Sequence, residues 1–77
     1  MPKLLEIGVL TLNAILEGES MGIEPNSVWL YPSVRIFRYP LPDGCPESVY
    51  GLIAHGLLFE RGYEQWDTRS EWRIVEG

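Results

Sequence analysis

Reactive side chains are scarce in this sequence of 77 residues, which has one cysteine, Cys45, and one histidine, His55. A lone cysteine has no partner for a disulfide within the chain, and it is compatible with a reducing compartment. Two such residues are too few to form a zinc site. The glycines match neither a Walker-type loop nor a dinucleotide-binding motif. We therefore predict no metal and no cofactor.

Cys45 and His55 are the candidates for a catalytic nucleophile and its general base. Asp43 and Glu47 bracket Cys45, and their negative charge disfavours the thiolate form that attacks a substrate. His55 has no carboxylate at a helical spacing before it that would orient its ring. We expect a non-enzymatic protein and keep a Cys/His enzyme as an alternative.

Positively charged residues are also few. The sequence has six Lys and Arg residues and eleven Asp and Glu residues, which gives a net charge of −5. Direct binding to a nucleic-acid backbone needs clustered cations, so this composition disfavours it. A negatively charged protein suits a partner protein with a basic surface. The same charge is also typical of a small protein that simply stays in solution.

Long apolar runs are missing as well. The longest run, from Leu4 to Leu16, is interrupted by Glu6 and Asn13, and it is too short to span a bilayer. Lys3 is the one positive charge close before it, and no small-residue cleavage site follows it. We expect no membrane contact and a cytoplasmic location.

Large aromatic residues are what the chain has in quantity, with three Trp, four Tyr and two Phe. The length predicts one small domain, 1–77, and a chain of this size buries only about 60–65% of its unfolded surface. Aromatic side chains carry much of the energy of small cores and of protein interfaces. The chain therefore depends on a dense aromatic core or on association with another molecule.

The N-terminal segment predicts a helix over 4–16. Its main apolar stripe has helical spacing and consists of Leu5, Val9, Leu12 and Leu16. Gly18 would end this helix. Weak helix formers within the same run leave a strand open as the alternative.

The middle of the chain predicts a loop followed by extended structure. Residues 17–27 are acidic and contain Pro25 and Asn26, which favour a turn. Residues 28–31 and 34–39 are rich in β-branched and aromatic side chains, so both are predicted as strands.

The C-terminal half predicts a helix and a β-hairpin. Pro46 suits a first helical turn and Gly62 a helix end. The predicted apolar stripe between them consists of Val49, Leu52, Ile53, Gly56 and Leu57. Residues 63–66 and 71–75 predict the two hairpin strands. The predicted fold is α+β, with two helices packed on a mainly antiparallel sheet and a C-terminal β-hairpin.

The register of this hairpin predicts a binding site. It places Trp66 on a solvent-facing surface with Glu64, Glu71 and Arg73, and it places Trp72 on the core face. Tryptophan is typical of interface hot spots, although Arg73 stacked over Trp66 would equally cover the ring. The acidic residues of the predicted loop complete the partner-binding set: Glu17, Glu19 and Glu24.

These features together predict a small acidic protein that binds another macromolecule, above all a protein with a basic surface. One form is a phage-type inhibitor that occludes the basic nucleic-acid-binding surface of a larger enzyme. An alternative is an obligate homo-oligomer or assembly subunit, which would bury the apolar N-terminal helix against copies of itself.

Overall fold

The computed structural model describes residues 2–24 and 27–77. It shows a three-stranded antiparallel sheet and two helices, which confirms the predicted α+β class. The elements are β1 (Lys3–Thr11), α1 (Leu12–Ser20), β2 (Arg35–Pro40), α2 (Tyr50–Glu60) and β3 (Thr68–Glu76). Short 3-10 helices lie at Val28–Leu30 and Glu47–Val49. The strand order is β2-β1-β3, so β1 is central.

The central strand β1 is buried on both of its faces. Leu5, Ile7 and Val9 contact the apolar side of α2, whereas Leu10 packs on the opposite face of the sheet. A strand covered on both sides needs a nearly continuous apolar run, and such a run also contains residues at helical spacing. The helix predicted over 4–16 is therefore wrong for residues 4–11, which form the alternative strand.

The helix α1 begins and ends later than the sequence predicts. The Thr11 side chain accepts a hydrogen bond from the Ala14 N–H and caps the first turn. Gly22, with φ +77°, ends the helix, and the Ile23 N–H donates to the Gly18 carbonyl at 3.0 Å. This is a Schellman motif. Residues 17–20 therefore belong to the helix and not to the predicted loop.

Gly18 serves packing rather than helix termination. It is buried inside α1, and a Cβ atom built on it would lie 1.9 Å from Cε1 of Tyr31. The absent side chain lets the Tyr31 ring lie directly on the helix backbone. Pro25 and Asn26, which the sequence predicts in a turn, lie outside the described residues.

The two predicted middle strands have different outcomes. Residues 34–39 are confirmed as a strand, with β2 at Arg35–Pro40. Residues 28–31 instead contain the 3-10 helix, whose Val28 is buried and whose Trp29 lies over β1. Gly8 allows this close approach, because a Cβ atom there would lie 3.1 Å from the Trp29 ring.

The helix α2 confirms the second predicted helix but exposes a different face. Gly62, with φ +81°, follows its end, and the Tyr63 N–H donates to the Leu58 carbonyl at 3.0 Å. Tyr50, Ala54 and Leu58 form its buried face. Leu52 of the predicted stripe is exposed. Nearly every position of this helix is apolar, so the spacing alone does not select the buried side.

The predicted C-terminal hairpin is absent from the described part of the chain. Residues 71–75 do form a strand within β3, but β3 pairs with β1, with Trp72 opposite Ile7. Residues 63–66 form no strand, and the Glu64 carbonyl accepts a hydrogen bond from the Asp67 N–H at 3.0 Å in a turn. An isolated hairpin is marginal in water, whereas pairing with β1 completes a central buried strand.

A charged cluster crosses the sheet on the face opposite α2. Glu6 of β1 is only 2% exposed, and its carboxylate contacts Arg38 Nε at 2.8 Å and Arg73 NH2 at 2.6 Å. Burial alone would raise the pKa of Glu6. The hydrogen bonds and charges of the two arginines outweigh burial and lower that pKa. The cluster keeps a buried carboxylate ionised and ties all three strands together.

Candidate functional site

An open groove of about 470 Å³ lies between α2, β3 and the loop that joins them. Helix α2 supplies one wall and β3 the other. The aromatic, histidine and carboxylate side chains of the groove are His55, Phe59, Tyr63, Glu64, Trp66 and Trp72. Phe59, Tyr63, Trp66 and Trp72 are aromatic, and the other two are a histidine and a glutamate. The groove is therefore a concave apolar surface with a few polar groups at its rim, which is typical of binding sites.

The two tryptophans of the groove differ in their exposure. Trp66 is 75% exposed, whereas Trp72 is 40% exposed. Trp72 meets Tyr50 of α2 edge to face, with ring centroids 5.9 Å apart. Trp72 thus lies on the predicted α2-facing side of the sheet but is only half-buried. Trp66 leaves most of its ring in solvent.

The exposed ring of Trp66 is held in one orientation by its own loop. The indole Nε1–H donates to the Glu64 carboxylate at 2.6 Å. The Glu64 carbonyl accepts from the Thr68 hydroxyl at 2.9 Å, in addition to the Asp67 N–H. The Leu12 N–H donates to the Asp67 carbonyl at 2.8 Å. These hydrogen bonds restrain the backbone of the loop, which lowers the conformational entropy that the loop loses when a partner binds.

Tyr63 connects the groove to the other edge of the sheet. Its hydroxyl accepts a hydrogen bond from Arg35 at 3.1 Å, and its ring lies 5.9 Å from that of Phe37. The Arg61 guanidinium stacks over the same Phe37 ring at 4.8 Å. These contacts tie the segment that follows α2 to β2.

The predicted partner-binding residues fall into three groups. Trp66 and Glu64 lie together at the groove. Glu71 and Arg73 lie on the opposite face of the sheet, because they pair with Gly8 and Glu6 of β1. The remaining acidic residues are exposed on or just after α1: Glu17, Glu19 and Glu24. The predicted proximity of Trp66 to Glu71 and Arg73 depended on the hairpin, so it is wrong.

The predicted alternative for Trp66, a covering Arg73 side chain, is also wrong. Arg73 stacks over the Trp29 ring at 4.2 Å while its guanidinium binds Glu6. The sequence did not place Phe59 and Tyr63 in a binding site, and it considered His55 only as a candidate general base. No sequence signal placed Phe59 there, because nearly every position of α2 is apolar and the buried face with Leu58 is known only from the structure.

The residues considered for catalysis and metal binding have ordinary environments. Cys45 packs beside the apolar cluster under α2, and its Sγ lies 3.8 Å from the Pro46 carbonyl oxygen. His55 is exposed at the groove. Within residues 2–24 and 27–77, no hydrogen bond joins these two side chains. Nor do the described residues contain a group of three His, Cys, Asp or Glu side chains arranged to hold a metal.

Comparisons with known proteins do not assign this chain to a family. No protein-family model matches it, and no curated protein or solved structure shows significant similarity. Within the described residues, no helix has the length and apolar character needed to cross a membrane.

Proposed function

We propose that this protein is a non-enzymatic, cytoplasmic binding module whose groove takes a basic segment of another protein. The observation that carries the proposal is Trp66, a ring 75% exposed and held by Glu64 at the rim of an aromatic groove. A small protein gains nothing for its own core from such a ring. Buried against a partner, tryptophan is among the residues that contribute most to binding.

The chemistry of the groove favours a cationic side chain of the partner. Lysine and arginine bind the faces of aromatic rings, most strongly those of tryptophan. Here the rings of Trp66, Phe59 and Tyr63 line the same groove as the Glu64 carboxylate. A lysine or arginine inserted there would meet ring faces and an opposite charge together. The apolar stem of that side chain would cover part of the exposed indole.

The net charge of −5 supports the same type of partner. Negative charge speeds association with a basic surface, and it disfavours binding to nucleic acid itself. Occlusion of the basic nucleic-acid-binding surface of a larger enzyme is one specific form of this function. In that form Glu17, Glu19 and Glu24 on the α1 side would add a second acidic contact area.

The alternative function, an oligomer that buries an apolar N-terminal helix, would have to use α1 alone, where Leu12 and Leu16 are exposed. Residues 3–11 form the central strand, and six consecutive residues from Leu5 to Leu10 are buried within the protein itself. We therefore favour the groove as the binding surface.

Capture followed by calorimetry tests the proposal. Tagged protein is used to capture partners from a lysate of the cells that express it, and the main captured protein is purified and titrated. Trp66→Ala should raise the Kd about 30-fold or more, equivalent to roughly 2 kcal/mol. Glu64→Gln should weaken binding less and should reduce its dependence on salt.

Leu52→Ala is the matched control, because Leu52 is an exposed apolar residue of α2 that does not line the groove. It should leave the Kd unchanged. Equal Kd values for wild type, Trp66→Ala and Leu52→Ala would contradict the groove as the binding site. A captured partner that lacks a basic surface would contradict the proposed chemistry.

A further inference from the structure

β3 is the longer of the two edge strands of the sheet. β3 is nine residues long and lies at the end of the strand order β2-β1-β3. Within the described chain, no strand pairs with its outer side. Natural proteins protect long edges with charged side chains, above all lysine, or with proline, bulges or short strands. β3 contains neither proline, glycine nor lysine.

Two backbone hydrogen bonds show which N–H and C=O groups of β3 point toward β1 and which point away from it. The Gly77 N–H donates to the Pro2 carbonyl, and the Leu12 N–H donates to the Asp67 carbonyl, both at 2.8 Å. Hydrogen-bonded and non-hydrogen-bonded pairs alternate along antiparallel strands, so the odd-numbered residues of β3 bond to β1. The outward-facing backbone groups belong to Thr68, Ser70, Trp72, Ile74 and Glu76.

The opposite edge of the sheet is less suited to pairing. β2 has six residues and ends in Pro40, which has no N–H to donate. The Leu41 N–H donates to the Lys3 carbonyl, so the backbone groups of Leu41 point toward β1. Because the direction alternates along a strand, the backbone groups of Pro40 point outward. Pro40 therefore blocks pairing at this edge, whereas the charges of β3 are mixed in sign and suit a strand of complementary charge.

We propose that β3 pairs with β3 of a second copy of this chain, antiparallel about a two-fold axis at Trp72. Each subunit would then contribute three strands to one continuous six-stranded sheet. Trp72 would face Trp72 of the other copy, and Ser70 would pair with Ile74. Every outward N–H and C=O group of the strand would gain a partner. The two aromatic grooves would meet at the axis on one face of the sheet.

Charge complementarity selects this register and this partner. With Trp72 on the axis, Glu71 of each copy lies opposite Arg73 of the other, which forms two identical ion pairs. A shift of two residues in either direction places Glu71 opposite Glu71, or Arg73 opposite Arg73. Larger shifts leave nearly half of the strand unpaired. A strand that is self-complementary in its fully paired register is the signature of an isologous interface.

The side chains are free to make these contacts. Arg73 remains about half exposed beside Glu6, so it can accept a second carboxylate. Within residues 2–24 and 27–77, Glu71 makes no ion pair. Ser70 is exposed and Trp72 is partly exposed, so no side chain of the chain itself blocks the edge at its centre.

Light scattering coupled to size exclusion tests the dimer on the purified chain alone. Wild type should have twice the monomer mass of 8.8 kDa at high concentration and dissociate on dilution. Ser70→Pro should be monomeric, because the proline removes an outward N–H without removing a bond to β1. Its control, Ser70→Ala, should dimerise normally. Glu71→Arg should also be monomeric, whereas Glu60→Arg, with the same charge change at an exposed helical site, should not differ from wild type.

Amide hydrogen exchange provides a second measurement that does not depend on any variant. The amides of Ser70, Trp72 and Ile74 should exchange about ten-fold or more slowly at dimer concentrations than at monomer concentrations. A monomeric wild type, or a dimer that survives both Ser70→Pro and Glu71→Arg, would overturn the proposal. Trp66→Ala should leave the mass unchanged, so failure of the dimer and failure of the groove are distinguishable.

Discussion

Two glycine-to-alanine substitutions in helices should have opposite effects on the stability of this protein. Both Gly18 in α1 and Gly56 in α2 have ordinary negative φ values, since the positive-φ glycines of the described chain are Gly22, Gly44 and Gly62. Helix propensity alone predicts that alanine stabilises either site by up to about 1 kcal/mol. The surroundings of the two sites decide the sign.

At Gly18 the new methyl group would collide with a buried ring. A Cβ atom there lies 1.9, 2.7 and 2.8 Å from three ring carbons of Tyr31, whereas carbon atoms in contact are about 3.5–4.0 Å apart. Tyr31 is buried and cannot swing into solvent. Overpacking of this kind costs about 1–3 kcal/mol, and here the severe overlap indicates the upper part of that range. After the propensity gain, Gly18→Ala should destabilise the fold by about 1–2 kcal/mol.

At Gly56 a Cβ atom would meet no other atom within 4 Å. Gly56→Ala should therefore stabilise the protein by about 0.5–1 kcal/mol. For a domain of this size 1 kcal/mol corresponds to about 4–8 °C in Tm. Thermal unfolding followed by circular dichroism should thus show Gly18→Ala about 5–15 °C below wild type and Gly56→Ala a few degrees above it.

A double-mutant cycle assigns the loss to the Tyr31 ring. In a Tyr31→Leu background the ring is absent, so Gly18→Ala should lose most of its penalty. Equal stabilisation by Gly18→Ala and Gly56→Ala would refute the packing of Tyr31 on α1. So would a penalty at Gly18 that is the same with and without the ring.

Two further predictions follow from the central strand. Glu6→Gln should destabilise the fold by roughly 1–3 kcal/mol at pH 7, whereas the exposed Glu60→Gln should not. The pKa of Glu6 is lower in the folded protein than in the unfolded chain, where it is about 4.3. The ionised Glu6 therefore stabilises the fold fully at pH values above about 4.3, and this stabilisation is lost as the pH falls through the pKa of the folded state. Urea unfolding at pH 7 and pH 3 should therefore show the Glu6→Gln penalty shrinking in acid, and a constant penalty would contradict the ion pairs. Leu12→Asp should change stability by about 0.5 kcal/mol or less, because Leu12 is 46% exposed at a helix N-terminus. Leu10→Asp should unfold the chain, since Leu10 is fully buried, and the reverse pattern would restore the helix predicted over 4–16.

The amino-acid sequence by itself determined the fold class and several local structures. The α+β class, the strand at 34–39 and the helix after Pro46 follow from a β-branched cluster, from Pro46 and from the helix-ending Gly62. These features depend on neighbours in the chain, so local chemistry is enough to predict them.

Only the tertiary structure decided how the apolar N-terminal run is used. The same leucines and valines satisfy a helical stripe or a strand buried on both faces, and no local signal separates the two. The choice is made by partners distant in sequence, because β2 and β3 supply the edges and α2 covers one face. Once β1 is central, residues 71–75 pair with it, and the local hairpin with residues 63–66 does not form.

The site depends on the same long-range pairing. Trp66, Trp72, His55 and Phe59 come together only because α2 packs across the sheet beside β3. Glu71 and Arg73 move to the opposite face because their register is set by Gly8 and Glu6 rather than by Glu64. Residue type shows which side chains suit binding, but strand pairing between distant segments determines which of them share a surface.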